Sequence, residues 1–259
     1  MKKLCVFAAI LMTQAAGVHA QPPEVLVSQN MHLGVRGGLS IPSLQGGSTE
    51  ESRGYRSRLG PDFGVFTDMP LSTHLTLEIA ALYVGQGGVK KGMQPIPAGS
   101  LSGSGLPIPP DMALYARFKN ESILNYLEIP ILAKYTFDAG LPFSVYVDGG
   151  PNIGFLVSAK TKSSGTSQLF VDASGTPLTV MDQPVPPVDF TGEQSIKSDV
   201  NTMNFGLAGG LGIGWGMGPG ELSLDCRGSY GLTNIQKGSG NGDNRTGCLV
   251  VTMGYAIGI

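Results

Sequence analysis

The chain has 259 residues, enough for one large domain or two small ones, with 39 glycines and a formal net charge of −2. This slightly acidic balance excludes the basic surface that nucleic-acid binding requires, so we expect no nucleic-acid partner. Apolar residues make up 41% of the chain but are interleaved with glycine and polar residues. That distribution excludes helical membrane spans and favours β-strands.

Residues 1–20 predict a secretory signal peptide. Two lysines precede an apolar stretch that is too short to span a bilayer, and a small-residue cleavage site ends at Ala20. We therefore expect export from the cytoplasm with cleavage after Ala20. A lead-in at 21–30 would follow, and then one domain at 31–259.

Eight segments are candidate strands, and in most of them one of the two alternating rows is apolar, which is the pattern of strands whose two faces meet different surroundings. In residues 126–135, YLEIPILAKY, the row that starts at Leu127 is apolar, whereas Glu128 and Lys134 lie on the other face. Pro130 cannot donate to a β-ladder, so it predicts a local bulge or a ladder break. The predicted strands are residues 31–40, 59–67, 74–85, 125–137, 143–157, 202–216, 221–234 and 247–259.

Short and long connections alternate between these strands, as they do in up-and-down outer-membrane barrels. We therefore predict an all-β fold, an eight-stranded antiparallel up-and-down transmembrane β-barrel with long extracellular loops. A secreted two-sheet sandwich is less favoured, because its outer row would carry charges where this chain carries glycine. The predicted short turns are residues 68–73, 138–142 and 217–220, and the predicted long loops are residues 41–58, 86–124, 158–201 and 235–246.

The interior of an eight-stranded barrel is about wide enough for side chains to fill. Charged groups that leave bulk water must pair with one another. The inward rows therefore predict a lumen filled by an ion-pair network rather than an open pore. The predicted members of this network are Arg36, Glu78, Glu128, Lys134, Asp148, Asp225 and Arg227.

Two cysteines follow the signal peptide, and we predict that they are unpaired. Alternation places Cys226 with the apolar row of its strand and Cys248 with the polar row. A last hairpin centred near residue 240 would bring Cys226 opposite the region of Tyr255, far from Cys248.

No residue pattern predicts a catalytic, cofactor-binding or metal site. The run GGLGIGWG (209–216) lies within a strand and lacks the strand-to-helix turn of a nucleotide-binding loop. His32 and His74 each lie near the periplasmic start of a strand with no clustered ligand. We expect no enzymatic activity and no cofactor, and a lipid A-modifying envelope enzyme is the less favoured alternative.

The long loops at 86–124 and 158–201 contain Pro-rich runs, which favour extended segments suited to recognition. The leading hypothesis is a monomeric membrane anchor in outer-membrane lipid, whose loops contact envelope proteins, secreted proteins or surface glycans. A narrow pore for ions or small solutes is the alternative that differs in the lumen.

Three stretches of the sequence resemble the PorT-like outer-membrane β-barrel family common in Bacteroidetes. They are LGVRGGLS, LTLEIAALYVGQGG and YLEIPILAKY, the last preceded by Asn125. The resemblance covers most of residues 31–259 except the long loops. It implies an eight-stranded outer-membrane barrel and, for some members, an accessory role in protein secretion. Ile259 departs from the aromatic terminal residue typical of barrels handled by the assembly machinery.

Overall fold

The structure is a computed structural model that describes residues 30–47, 49–50, 52–96, 112–137, 142–238 and 242–259. The predicted signal peptide at 1–20 lies outside the described residues, as does the predicted lead-in except for Asn30. Most of the Pro-rich run at 95–111 and most of the predicted turn at 138–142 also lie outside them.

The described residues contain eight long strands and five short β-segments. Strands β3, β4 and β5 have 22, 24 and 21 residues. A tilted membrane-spanning strand needs only about 9–11 residues, so these three strands project beyond the membrane. The elements are β1 (His32–Gly46), β2 (Gly60–Pro70), β3 (Leu75–Ile96), β4 (Leu114–Phe137), β5 (Ser144–Ser164), β6 (Thr166–Ser167), β7 (Thr179–Val180), β8 (Gln183–Pro184), β9 (Val188–Asp189), β10 (Gly192–Ser195), β11 (Met203–Met217), β12 (Gly220–Gly231) and β13 (Asn244–Gly258).

The eight long strands form one closed antiparallel ring. Each pairs with the next along the chain, β5 pairs with β11 across the short segments, and β13 closes on β1. In such a ring the backbone groups of each strand are satisfied by both neighbours, as the bilayer interior requires. The predicted eight-stranded antiparallel barrel is therefore confirmed. Among the described residues, no helix is long and apolar enough to cross a membrane.

The predicted alternation of faces is present in the barrel wall. In β4, Leu127 and Tyr135 are 40% and 45% exposed on the outside, whereas Tyr126 and Leu132 are fully buried inside. In β2, Phe63 is exposed on the outer face. Strand side chains alternate between faces, so within one strand the odd-numbered and even-numbered residues face opposite sides, one towards lipid and the other towards the lumen. We call this the parity of the residue.

Several predicted loops are instead extensions of the strands. β3 continues to Ile96 and β4 begins at Leu114, so much of the predicted loop at 86–124 is a β-ribbon. The predicted loop at 158–201 likewise contains the end of β5 and the segments β6 to β10. The ribbon persists outside the membrane because its inner face buries apolar side chains in a hydrophobic cluster. This outer core consists of Ile96, Leu114, Ala116, Leu169, Leu178 and Val185.

The ladders on both sides of β4 are interrupted at or next to Pro130. Towards β3, the pairing passes from Ile79–Ile131 directly to Leu82–Glu128 without a change of register. Towards β5, Pro130 itself pairs with Asn152, and the next two positions are skipped. The predicted ladder break is confirmed, and a separate register shift lies nearby at Asn125/Tyr126.

Candidate functional site

The centre of the lumen is an ion-pair cluster built around one buried carboxylate. Glu78 on β3 lies 2.8 Å from Arg36 on β1, 2.7 Å from Lys134 on β4 and 3.0 Å from Arg227 on β12. The Glu78 side chain has no exposed surface. One buried carboxylate thus lies within ion-pair distance of three cations at once.

Two of the three cations, Lys134 and Arg227, also contact carboxylates other than Glu78. Lys134 donates to Asp68 at 2.8 Å. Arg227 contacts Asp148 at 2.7 Å and Asp225 at 3.5 Å. Three cations thus meet four carboxylates, a near balance of charge that buried ions require.

The structure brings together six of the seven residues predicted to form the network. The exception is Glu128, which pairs with no cation among the described residues and instead accepts from Gln86 at 2.7 Å and Asn152 at 2.6 Å. The prediction also omitted Asp68, because it assigned this residue to a turn. β2 runs through Pro70, and Asp68 has the inward parity of its strand.

Aromatic side chains fill the space around the charges. The guanidinium of Arg36 lies over the Phe66 ring, 4.0 Å from its centroid, and the Lys134 ammonium lies 4.9 Å from that of Tyr146. The Tyr146 hydroxyl donates to Asp225 at 2.7 Å. Rings pack against cations through their negative faces, so apolar volume and charge are interleaved across the lumen.

The cavities left inside the wall are small. One of about 30 Å³ is lined by Asp62, Glu128 and Arg36, and another of about 10 Å³ lies near Gln86 and Asn204. The first has room for about two water molecules and the second for about one at most. At the end of the barrel where β2 turns into β3, here called the short-turn end, a cavity of about 150 Å³ stops at the level of Lys134.

The opposite end, here called the long-loop end, is covered by a hydrophobic lid. Val200 precedes β11 and Ile235 follows β12, and both connections fold inward over the mouth. Asn201 donates its backbone N–H to the Ile235 carbonyl at 2.7 Å, which joins the two connections. Asn244 donates to the Ser52 carbonyl at 2.9 Å and holds a third connection beside them. The lid consists of Leu124, Tyr126, Leu156, Ala159, Val200 and Ile235.

Sequence reasoning did not identify the lid because its two loop members carry no periodic signal. Isolated valine or isoleucine residues in a polar connection are common, and only the tertiary structure brings them over the lumen. Phe66 and Tyr146, by contrast, have the inward parity of their strands and could have been assigned to the lumen from the pattern alone.

The remaining candidate groups lie apart from the network or have other contacts. His74 stacks on Tyr135 at the short-turn end, with ring centroids 5.9 Å apart. In the part of the chain that the structure describes, no group of three or more His, Cys, Asp or Glu side chains is placed to hold a metal ion. Cys226 and Cys248 are both free thiols, as predicted. Cys226 pairs opposite Val251 rather than near Tyr255.

The chain is similar to several proteins of known structure. Similar solved structures include Ail, the attachment invasion locus protein of Yersinia pestis, at 12% identity over 88% of this chain and 99% of that chain, with a TM-score of 0.35. OprG from Pseudomonas aeruginosa is 13% identical over 89% and 94% of the two chains, with a TM-score of 0.35. The outer membrane protease OmpT of Escherichia coli is 9% identical over 93% and 99%, with a TM-score of 0.32.

No curated protein matches the sequence significantly. A family model described as the outer membrane protein beta-barrel domain matches residues 20–237, which is most of the chain. The chain therefore belongs to the outer membrane protein beta-barrel domain family.

Proposed function

We propose that this outer-membrane protein is a non-enzymatic, monomeric anchor with a filled lumen, whose long-loop end binds partners outside the cell. The proposal includes export through a signal peptide cleaved after Ala20, which N-terminal sequencing of the protein extracted from outer membranes would test. The observation that carries it is the ion-pair cluster around Glu78, which occupies the lumen from one wall to the other.

Two barriers in series support a non-conducting lumen. Ions entering from the short-turn end meet Lys134 and Glu78, whose charges are already engaged with one another. Ions entering from the long-loop end meet the apolar side chains of the lid. Between them, the cavities of about 30 and 10 Å³ have room for only about three water molecules in total, which is too little to bridge the two barriers.

Planar-bilayer recordings test the filled lumen. We expect no stepwise current from the purified protein, while a general porin added to the same bilayer conducts. The double variant Val200→Gly/Ile235→Gly removes lid side chains but leaves the ion pairs, and we expect it to remain closed. Stepwise current from the unmodified protein would favour the alternative of a narrow pore.

The long-loop end has the features of an interaction surface. The outer core packs the ribbon of β3 and β4 against the segment that contains β6 to β10. In outer-membrane barrels the longer connections face the outside of the cell. An ordered structure built on one end of a closed barrel is better suited to holding a partner than to moving a solute.

The resemblance to PorT-like proteins suggests protein export as the process served. Deleting the gene in the native organism should then deplete particular proteins from the culture supernatant. Complementation with a chain lacking residues 165–195, but retaining the barrel, should fail to restore them. An unchanged supernatant would remove the export role. A lipid A profile that changes on deletion would argue against a non-enzymatic protein.

A further inference from the structure

A cup of about 440 Å³ lies at the long-loop end, outside the lid. Its walls are the ribbon of β3 and β4, the end of β5, the strand β10 and the connection that precedes β2. The volume falls within the roughly 300–1,000 Å³ usual for small-molecule pockets. The lining residues that matter here are Tyr55, Phe118, Asn120, Ser163, Phe190 and Gln194.

Strand register fixes the polar wall of the cup. Lys90 on β3 pairs with Asn120 on β4, Asn120 pairs with Ser163 on β5, and Ser163 pairs with Gly192 on β10. Directly opposed residues in an antiparallel sheet point to the same face. This row of four positions therefore faces one side, and all four residues line the cup.

Aromatic rings complete the lining of the cup. Phe118 and Phe190 stack with centroids 4.9 Å apart and planes at 15°, and both pack against the outer core. The Tyr55 hydroxyl accepts from Ser122 at 3.3 Å. Rings held by such contacts lose little conformational freedom when a ligand packs on them, which lowers the entropic cost of binding.

Among the described residues, the two charged side chains that line the cup, Lys90 and Glu193, already have partners. Lys90 donates to the Glu50 carbonyl at 2.5 Å, and Glu193 lies 2.8 Å from Lys160. The hydrogen bond from Lys160 lowers the pKa of Glu193 below its ordinary value, so this carboxylate is ionised and paired at neutral pH. The remaining polar groups are amides and hydroxyls, which both donate and accept.

We propose that the cup binds a neutral saccharide of about two hexose units. Sugar hydroxyls need paired donors and acceptors such as Asn120, Ser163 and Gln194 offer. The C–H faces of a pyranose ring suit the negative faces of aromatic rings. This inference rests on the proposed function, because it names the chemistry that the long-loop end would recognise on a partner.

Gly192 allows the cup to be filled without disturbing its walls. A Cβ atom added at Gly192 would have no other atom within 4 Å, and the φ angle of Gly192 is not in the left-handed region. Because Gly192 pairs with Ser163, that side chain would project into the cup. Gly216, at the short-turn end of β11, also has open space at its Cβ position and provides a matched control.

The test is isothermal titration of the full-length protein in detergent with maltose, lactose, cellobiose, trehalose and N,N′-diacetylchitobiose. We expect at least one of them to bind, Gly192→Trp to weaken that binding by about tenfold or more, and Gly216→Trp to leave it unchanged. Gln194→Ala, a truncation on an exposed strand, should weaken binding without filling the cup.

The proposal is overturned if no disaccharide binds, if Gly192→Trp binds as well as the unmodified protein, or if a sulfated disaccharide binds in preference to its neutral counterpart. Any of these outcomes would leave the closed lumen untouched, because the bilayer recordings test it separately. Conversely, current through the barrel would not affect the sugar titration.

Discussion

Glu78 and Arg227 form an ion pair of 3.0 Å across the whole diameter of the barrel. Glu78 lies on β3 and Arg227 on β12, and these strands are four positions apart in either direction around the ring. The pair therefore joins opposite walls through the lumen. Because Arg36 and Lys134 join the same carboxylate from β1 and β4, Glu78 ties four of the eight strands together.

Replacing Glu78 by glutamine should destabilise the barrel strongly. The change keeps the side-chain volume but leaves three buried cations with one carboxylate fewer. Removing one partner of a buried pair costs about 3–5 kcal/mol. Denaturant-induced unfolding in lipid vesicles would measure the loss. Glu193→Gln, at the solvent-exposed pair with Lys160, should cause no measurable change, and equal effects of the two variants would contradict the central role of Glu78.

Replacing Leu211 by arginine should cost about 2–4 kcal/mol of unfolding free energy if β11 crosses the bilayer with this residue near its midplane. Leu211 is 60% exposed on the outer face, at the middle of its strand. Met217→Arg, at the short-turn end of the same strand, should cost only about 0–1 kcal/mol, as near an interface. Equal costs at the two positions would argue against this placement of the membrane.

Gly38 and Gly37 offer a test of packing between β1 and β13. A methyl group at Gly38 would overlap the backbone oxygen of Val251, whereas one at Gly37 would come no nearer than 3.8 Å to Phe63. Gly38→Ala should therefore lower stability by about 1–3 kcal/mol, and Gly37→Ala should be nearly neutral. The heat-modifiable electrophoretic mobility of the barrel would report the folded fraction of each variant. A reversed order would contradict this approach of the two strands.

Two maleimide reagents of different polarity should distinguish the two free thiols. Cys226 has the lipid-facing parity of β12, whereas Cys248 is buried in the lumen. In vesicles, a lipophilic maleimide should label Cys226 and a water-soluble one should label neither. After denaturation without reductant, mass spectrometry should find two alkylated thiols. A chain that takes up none would contain the disulfide that the structure excludes.

The sequence predicted the wall of the barrel better than its outer end. Within the bilayer one face of each strand meets lipid, so the alternation around Leu127 is sharp. Beyond the bilayer the outer face meets water, and residues such as Lys91 on β3 and Lys119 on β4 occupy it. The alternation there no longer distinguishes a strand from a loop, which is why the ribbon to Ile96 was predicted as a loop.

The prediction for Glu128 failed for a different reason. Alternation gives the face of a residue but not its partner at the same height in the barrel. Glu128 and Lys134 are both inward, yet six residues along a strand separate them by about 20 Å. Register places Glu78 opposite Leu132, close to Lys134 and away from Glu128. Arg36 and Arg227 line one small cavity together with Glu128, but both contact Glu78 instead. Register depends on pairing between strands, which no single strand encodes.

The contact between β1 and β13 determines when the barrel can be completed. It pairs His32 with Gly258 and Gly46 with Asn244, residues about two hundred positions apart. Contacts this distant in sequence form slowly, and until they form two strands expose unpaired amides and carbonyls. A nascent chain that has been translocated but lacks its last hairpin is consequently at risk of aggregation. The rate of its maturation should depend on how quickly the final strand is delivered to the first.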